Sequence, residues 1–410
     1  MRKRKHTRKK YMKVLFTGGG TGGHFYPIIA IAQKLHVALE KEGLSDDVKF
    51  FYMSDTPYDE AKLAQNRIEF LKVNTGKMRR YFSLKNITDA IKTPIAAFLM
   101  IFKLFVLYPD VVVGKGGYAS FPALFAARIL RIPVIIHESD SAPGKVNKWA
   151  GHFAQKIAVS YPYTVQYFPK KKTAVTGNPI RNEIMTPMRD GAYELLGLEP
   201  GVPTIVVLGG SQGAQIINDA VTGALPDLLD EFQVVHQVGI QNIRDIEKVL
   251  PVMLSGNKHA ERYKPLGFLS AEQIRAASGI ANIIISRAGS TIFEIALWGV
   301  PSIIIPITDS NGDHQLKNAY SYARAGCAEV IEEKNLTPFL LTTEIKRLID
   351  DPARIQQMKD AMAQFADPGA AEKIARQIVN VLVEHNVKKP KTASESVSKP
   401  PVVPPTANVS

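Results

Sequence analysis

Cysteine is almost absent from this chain of 410 residues, in which Cys327 is the single one. An internal disulfide is therefore excluded, and no Cys/His cluster has the spacing of a zinc site. Long apolar runs are missing as well, because the stretch at 95–107 is too short to span a bilayer and contains Lys103. We predict no transmembrane helix, and we expect Cys327 to be a small buried side chain, the alternative being an exposed reactive thiol.

Acidic residues are scarce relative to basic ones, since 38 Asp and Glu oppose 51 Lys and Arg, for a net charge of +13. Seven positive charges precede Tyr11, and removing them leaves +6. A basic tail of this kind suits nucleic acid, an anionic bilayer surface or simple solvation. Alternatively, translation starts at Met12. No apolar core follows the charges, so we predict no signal peptide.

Apolar runs rich in β-branched residues predict strands near 13–17, 48–53, 111–113, 133–137, 156–159, 173–176, 204–208, 233–237, 281–285 and 302–306. They alternate with stretches of helical length, which predicts parallel sheets covered on both faces. The length and the 45% hydrophobic content favour two α/β domains. Four prolines interrupt the pattern between 178 and 203. We therefore predict a basic disordered tail, a first domain, a linker, a second domain, a last helix and a disordered Pro-rich tail, at 1–11, 12–180, 181–200, 201–367, 368–386 and 387–410.

The most informative feature is a glycine loop at 18–23 that follows an apolar run and precedes His24. A strand, a glycine loop and a helix in this order place free backbone N–H groups and a helix N-terminus where they favour phosphate oxygens. A second such loop lies at 209–213. Two loops on two strands predict two nucleotide-binding halves that face one another. His24 is a candidate base for an acceptor hydroxyl, or it merely contacts backbone or phosphate.

Other polar residues follow predicted strands in the first half of the chain. A third glycine loop at 114–117 leads into Tyr118, and a polar run at 137–140 includes Glu138 and Asp140. Functional loops gather at the carboxyl edge of a parallel sheet, so these residues can line the same cleft. A turn would explain one of them, whereas four polar residues in succession favour a functional role.

The second half carries similar candidates. In the loop at 286–291, Ser290 and Thr291 are good helix caps whose hydroxyls can also meet a phosphate. Glu294 could hold ribose hydroxyls or simply complement the helix dipole. Arg181, near the end of the first half, could reach a diphosphate or be an ordinary surface arginine.

A further pair of amides, Gln315 and Asn318, is spaced i,i+3 and therefore shares one helix face. Such a pair suits the recognition of sugar hydroxyls. The basic and aromatic stretch at 77–82 and the apolar stretch at 95–108 admit two interpretations. One is a buried crossover helix, and the other is a surface that rests on a membrane.

Six motifs occur in the order found in a known family. They are Gly19–His24 with Pro27, His137–Glu138, Gly177–Arg181, Gly209–Ala214, Ser286–Gly289, and His314–Gln315 with Asn318. In this ordered set the chain resembles the MurG family of peptidoglycan glycosyltransferases, from about Met12 to about 385. The resemblance implies a GT-B fold, in which two Rossmann-like domains with parallel sheets face one another across a cleft and a last helix returns to the first domain.

The resemblance also implies a reaction. Such enzymes transfer N-acetylglucosamine from UDP-N-acetylglucosamine to the muramyl 4-hydroxyl of lipid I, a polyprenyl-diphosphate muramyl-pentapeptide, and so form lipid II. Transfer proceeds with inversion and without a metal or other cofactor. A peripheral enzyme on the cytoplasmic side of an anionic membrane is implied, with no nucleic acid as partner, and the membrane-facing patch of the family favours that interpretation of 77–105.

The resemblance further assigns roles to single residues. It places Thr21, Gly22 and Gly23 at the cleft, with His24 as the base. It places Arg181 and Ser211 on the UDP phosphates, Leu269 beside the uracil through its backbone, Gly289, Ser290 and Thr291 around the diphosphate, Glu294 on the ribose, and His314, Gln315 and Asn318 on the sugar. Tyr118, Glu138, Asp140, Gln212 and Arg287 complete the expected substrate-binding set.

Asp140 departs from the family pattern, in which asparagine is usual, and a charge there would alter that contact. The loop from Arg287 to Glu294 is also one residue shorter than usual. A UDP-N-acetylglucosamine 2-epimerase and a diacylglycerol glycosyltransferase share this fold and remain alternatives, as does a non-enzymatic module that binds through the basic tail.

Overall fold

The computed structural model describes residues 11–73, 98–210, 213–308 and 313–388. Several sequence-based predictions therefore lie outside the described residues. These concern the basic tail at 1–10, the segment at 77–97, Ser211 and Gln212 in the second glycine loop, and the Pro-rich tail at 389–410.

The first domain contains a sheet of seven strands, all paired in parallel. They are β1 (Met12–Thr17), β2 (Val48–Ser54), β3 (Ile68–Lys72), β4 (Val111–Gly114), β5 (Val134–Glu138), β6 (Lys156–Val159) and β7 (Thr173–Val175). Their order is β3-β2-β1-β4-β5-β6-β7. The chain thus reverses its direction of sheet growth between β1 and β4, and the crevice beyond the carboxyl ends of these two strands is the usual place for a ligand.

The second domain contains a sheet of six parallel strands. They are β8 (Thr204–Leu208), β9 (Gln233–Gln237), β10 (Tyr263–Leu266), β11 (Ala281–Ser286), β12 (Ser302–Ile304) and β13 (Glu329–Val330). Their order is β10-β9-β8-β11-β12-β13, so the same reversal occurs between β8 and β11. Each domain consequently offers a crevice at the carboxyl edge of its sheet.

Helices cover both faces of the two sheets, which explains why the central strands are continuous apolar runs. The helices are α1 (Gly22–Lys41), α2 (Glu60–Gln65), α3 (98–107), α4 (Phe121–Ile129), α5 (Lys145–Ala150), α6 (Ala192–Leu196), α7 (Gln215–Leu228), α8 (Ile243–Met253), α9 (Ala271–Ile280), α10 (Thr291–Trp298), α11 (His314–Arg324), α12 (Pro338–Ile349), α13 (Pro352–Phe365) and α14 (Ala370–Lys388). Cys327 is buried in the core of the second domain, as expected.

The last helix, α14, follows the second domain in sequence but packs against α1 of the first domain. Ile374, Ile378 and Leu382 belong to the same buried cluster as Ile28 and Leu35. The chain therefore crosses between the domains twice, and its final crossing completes the core of the first domain.

Helix α3 has one buried and one exposed apolar face. Met100 and Leu104 are buried against the sheet, whereas Phe98, Phe102 and Phe105 are each more than 60% exposed. The buried face agrees with the interpretation as a crossover helix, and the membrane interpretation stays a prediction. Among the described residues, no helix has the length and apolar character needed to cross a membrane.

Candidate active site

The first glycine loop connects β1 to α1 and is held by residues at the end of β2 and just after it. The hydroxyl of Ser54 donates to the carbonyl oxygen of Gly18 at 3.0 Å. A Cβ atom on Gly22 would lie 2.7 Å from the hydroxyl oxygen of Tyr58, so only glycine fits beside that ring. The close packing fixes the loop with its backbone at the carboxyl edge of the sheet.

His24 lies in the first turn of α1. Its Nδ1 atom lies 2.8 Å from the hydroxyl oxygen of Thr21, within hydrogen-bond distance. When Nδ1–H donates in this bond, Nε2 is the ring nitrogen that can accept a proton. Burial, together with the nearby charge of Lys115, lowers the pKa of His24 to about 4, and the charge of Asp140 opposes that shift. The imidazole is therefore neutral at pH 7 and able to accept a proton.

A cavity of about 430 Å³ lies between the two domains. The first domain contributes the loop at 20–23, together with Tyr26, Tyr58 and Arg181. The second domain contributes Gly209, Gly210, Gly213, Arg287, Gly289, Ser290, Thr291, Glu294 and Gln315. Five of the residues expected to meet the donor phosphates or ribose thus line one space, namely Arg181, Gly289, Ser290, Thr291 and Glu294.

Three helices begin at this cavity. Helix α1 begins at Gly22, α10 begins at Thr291, and α7 begins at Gln215, two residues after the cavity-lining Gly213. The domains approach closely here, because a Cβ atom on Gly23 would lie 3.3 Å from the hydroxyl oxygen of Ser290. The positive ends of three helix dipoles and their free N–H groups favour a bound anion at this point.

Arg181 adds a fixed positive charge to the cavity. Its side chain is buried, and its guanidinium lies 3.8 Å from the centre of the Tyr26 ring. Its Nε atom has no hydrogen-bond partner among the described residues. Stacking on an aromatic ring orients the planar guanidinium, which can then offer paired N–H donors to phosphate oxygens.

Glu294 faces the same space from the first turn of α10. Burial raises the pKa of its carboxyl to about 7, and the charge of Arg181 opposes this rise. The carboxylate thus sits close to a cation and to a helix N-terminus. Both features suit a group that accepts hydrogen bonds from hydroxyls.

Arg287 and Gln315 both line the cavity. The guanidinium of Arg287 donates to Glu333 at 2.7 Å and to the carbonyl oxygen of Ile305 at 3.1 Å. The side-chain oxygen of Gln315 accepts from the N–H of Ile307 at 3.2 Å. These bonds fix both side chains to the loop that follows β12.

Glu138 and Tyr118 do not line the cavity. Both carboxylate oxygens of Glu138 accept protein hydrogen bonds, from the N–H groups of Asp140 and Gly144 and from the amide of Asn147. The hydroxyl of Tyr118 donates to Asp55. In this structure Glu138 shapes the loop after β5, and its role as a substrate contact stays a prediction.

His314 and Asn318 also lie outside the cavity lining, on α11 against the first domain. Asn318 is 2% exposed and bonds to Asp140 and to Ser141. Leu269 is buried, and its N–H donates to Gln237 at 3.1 Å. Their expected contacts with the sugar and the uracil stay predictions.

Sequence reasoning did not include several residues that the structure brings to the site. Tyr26 and Tyr58 line the cavity beside the glycine loop, and Phe268 lines it next to Leu269. Tyr26 follows His24 by two positions at the start of the same helix. This closeness to the glycine loop was the sequence feature that could have identified Tyr26 as a residue of the site. Within the described part of the chain, no three His, Cys, Asp or Glu side chains lie close enough together to hold a metal ion.

Comparison with protein families gives the class. The glycosyltransferase family 28 N-terminal domain matches residues 14–159, and the glycosyltransferase family 28 C-terminal domain matches residues 204–374. Together with the two parallel sheets that face one cavity, these matches define a family 28 glycosyltransferase, and the expected GT-B fold is confirmed.

Individual relatives are more specific. A UDP-N-acetylglucosamine--N-acetylmuramyl-(pentapeptide) pyrophosphoryl-undecaprenol N-acetylglucosamine transferase from Treponema denticola is 33% identical over 383 residues, covering 88% of this chain and 96% of the relative. One from Bacillus thuringiensis is 36% identical over 343 residues, covering 82% and 91%. The crystal structure of Acinetobacter baumannii MurG is 25% identical with a TM-score of 0.67, covering 90% of this chain and 99% of that one.

The chain therefore belongs to the MurG family of N-acetylglucosamine transferases. A putative UDP-N-acetylglucosamine 2-epimerase from Listeria monocytogenes is a structural neighbour with a TM-score of 0.66, covering 91% of this chain and 97% of that one. At 17% identity it shows the shared fold alone.

Proposed function

We propose that this protein transfers N-acetylglucosamine from UDP-N-acetylglucosamine to the muramyl 4-hydroxyl of lipid I, a polyprenyl-diphosphate muramyl-pentapeptide. The product is lipid II, a precursor of peptidoglycan, so the protein serves cell-wall synthesis and, through it, cell shape and division. The observation that carries the proposal is the cavity where three helix N-termini and the buried Arg181 converge between the two domains. Family membership identifies the donor and acceptor.

The donor diphosphate would lie against the N-terminus of α10, where Gly289, Ser290 and Thr291 offer N–H and hydroxyl groups. Arg181 would contact its oxygens from the first domain. Glu294 would accept hydrogen bonds from the ribose hydroxyls. With these groups fixed before the substrate arrives, the site needs little reorganisation when charge develops on the leaving diphosphate.

Transfer would occur by direct displacement at the anomeric carbon. The acceptor oxygen forms the new bond while the bond to the UDP oxygen breaks, so the configuration inverts. His24 would take the acceptor proton, because it is neutral at pH 7, and UDP would leave with the bonding electron pair. Helix N-termini and Arg181 would stabilise that negative charge, and each such donor is typically worth about 3–4 kcal/mol.

Helix α3 supports a membrane-bound acceptor. Phe98, Phe102, Phe105 and Val106 present an exposed apolar face, with Lys103 on the same helix. Such a face can enter the boundary between headgroups and acyl chains while the lysine remains among the anionic headgroups. We propose that the protein binds the cytoplasmic face of the cell membrane peripherally through this surface.

Turnover with three acceptors tests the reaction. The purified protein would be given UDP-N-acetylglucosamine with a lipid I analogue, with diacylglycerol, or with no acceptor. We expect UDP release and a disaccharide only with the lipid I analogue. Sugar transfer to diacylglycerol, or epimerisation without an acceptor, would instead support one of the two rival activities.

A variant of His24 tests the mechanism. His24→Ala should lower kcat far more than it raises the donor KM, because the base acts on the acceptor proton and not on the nucleotide. Lys145→Ala, an exposed position in the first domain, is the matched control and should leave both constants unchanged. Equal losses in kcat and in donor binding would assign His24 a binding role.

A further inference from the structure

The segment after β7 carries Arg181 into the cavity, and two helices of the first domain hold it. The backbone N–H of Asn182 donates to Gln33 Oε1 at 3.1 Å. Glu183, the next residue, accepts from Gln33 Nε2 at 3.1 Å and from Lys62 Nζ at 3.0 Å. Gln33 lies on α1 and Lys62 lies on α2. Each carboxylate oxygen of Glu183 is therefore bonded to a different helix.

Helix α1 contacts this segment at two points. The guanidinium of Arg181 lies over the ring of Tyr26, which precedes Gln33 on α1 by seven positions. Residues seven positions apart lie on the same face of a helix, two turns from each other. One helix face thus contacts the side chain of Arg181 and, through Gln33, both the backbone of the following residue and the carboxylate of Glu183.

Glu183 is ionised in this arrangement. Its side chain is 26% exposed and that of Lys62 is 22% exposed. Burial tends to raise the pKa of Glu183, but hydrogen bonds from its own backbone N–H, from Gln33 and from Lys62 outweigh burial and hold the pKa below its ordinary value. Hydrogen bonds to an ionised carboxylate are stronger than neutral ones, and a partly buried pair is screened less by salt than an exposed one. The carboxylate is therefore a firm anchor for the segment.

The anchor itself does not touch the space where a ligand binds. Glu183, Gln33 and Lys62 lie outside the cavity lining, whereas Arg181 and Tyr26 belong to it. The anchor can therefore affect a bound molecule only through the residues that it holds. Ordering a free arginine side chain on binding costs conformational entropy, and a guanidinium that is fixed beforehand avoids this cost.

We propose that Glu183 is a positioning residue for Arg181. Its bonds to α1 and α2 hold the segment at 181–183 in place, so that the guanidinium already faces the cavity when the donor arrives. The expected effect on nucleotide binding rests on the proposed function, in which Arg181 contacts the donor diphosphate. The expected effect on the mobility of Arg181 does not.

Calorimetric titration with UDP tests the effect on binding. Glu183→Ala should weaken UDP binding by about 3- to 10-fold, the range expected for loss of a hydrogen bond. Arg181→Ala should weaken it more, and adding Glu183→Ala to Arg181→Ala should change it no further, because Glu183 acts through Arg181. Glu194→Ala, an exposed change in α6, is the matched control and should bind UDP as the native protein does.

Two losses that multiply in the double variant would show that Glu183 acts independently of Arg181, and they would overturn the inference. Absence of UDP binding by the native protein would refute the proposed function instead. The inference would then be decided by the mobility of Arg181.

That mobility can be measured without any ligand. In protein labelled with nitrogen-15 at arginine, the Nε–H signal of Arg181 is identified by its loss in Arg181→Ala. Its order parameter should be close to the value of rigid backbone, about 0.85, in the native protein and in Glu194→Ala, and below about 0.6 in Glu183→Ala. Equal order parameters in the native protein and in Glu183→Ala overturn the inference, whichever molecule occupies the cavity.

Lys62→Met provides a milder change if Glu183→Ala does not fold. It removes the ion pair on the α2 side and keeps the bond between Gln33 and Glu183. UDP binding should weaken by about 2- to 5-fold, and the order parameter of Arg181 should fall below its native value. Native values of both quantities in Lys62→Met would then overturn the inference.

Discussion

Glu294 provides the sharpest electrostatic prediction, because its side chain is already half-buried in the cavity before any substrate arrives. Replacing it by glutamine removes the charge and keeps the shape. Burial raises the pKa of Glu294 from its ordinary 4.5 to about 7, so the folded protein holds a proton there that the unfolded chain releases. Through this group the native protein loses stability as pH rises from about 4.5 to about 7, and the Gln variant lacks this contribution.

The size of this effect follows from the shift. Each pH unit between the two pKa values corresponds to about 1.36 kcal/mol. The stability of Glu294→Gln relative to the native protein should thus increase by about 2–3 kcal/mol between pH 5 and pH 8. The Gln variant should bind the donor more weakly than the native protein does, since hydrogen bonds from ribose hydroxyls to a charged acceptor are worth about 1.5–3 kcal/mol. Loss of these bonds predicts a donor KM that is about 10- to 150-fold higher.

The assay is urea unfolding of both proteins at pH 5, 6, 7 and 8, monitored in the transition of the second domain, together with the donor KM. Glu272→Gln is the matched control, because Glu272 is exposed in the first turn of the neighbouring helix α9. It should change neither quantity. If native and Glu294→Gln stabilities vary with pH in parallel, the burial argument is refuted. An unchanged donor KM would remove Glu294 from the ribose site.

Arg181→Lys should weaken inhibition by UDP at least tenfold, because lysine keeps the charge but loses the stacked, forked guanidinium; equal inhibition constants would contradict the diphosphate role. The free energy of unfolding of Gly213→Ala should be lower than that of Gly256→Ala by roughly 1–3 kcal/mol, measured by denaturant unfolding. Both positions have positive φ, but only at Gly213 would the new Cβ meet a carbonyl oxygen, at 2.0 Å; equal stabilities would mean that the loop relaxes. Phe102→Glu should abolish sedimentation with anionic vesicles while leaving turnover of a water-soluble acceptor unchanged, and Phe339→Glu, exposed in the second domain, should sediment normally. Normal sedimentation of Phe102→Glu would exclude α3 as the membrane contact.

The central strands could be predicted from the sequence because they are buried on both faces. The apolar runs at 14–16 and 204–208 became β1 and β8. The strands that the pattern did not predict are β3, β10 and β13, and all three lie at sheet edges. Edge strands are covered less completely, so short segments such as Glu329–Val330, or the Pro-containing Tyr263–Leu266, carry no continuous apolar signal.

The sequence could predict only those parts of the site whose placement follows from the position of the backbone in the fold. Glycine loops and helix caps must lie at the carboxyl edge of a parallel sheet, and the loops at 18–23 and 286–291 do so. Side-chain partners across the domain interface depend on tertiary geometry and leave no local pattern. The stacking of Arg181 on Tyr26 and the bonding of Asn318 to Asp140 therefore emerged only from the structure.

The stereochemistry of the product tests the central claim most directly. UDP-N-acetylglucosamine carries its sugar in the α configuration, and a single displacement in the interdomain cavity must invert it. With a donor labelled with carbon-13 at the anomeric carbon and a lipid I analogue, nuclear magnetic resonance should show a β-linked disaccharide and one UDP released for each. An α-linked disaccharide, or UDP and an epimerised sugar without any disaccharide, would contradict the account.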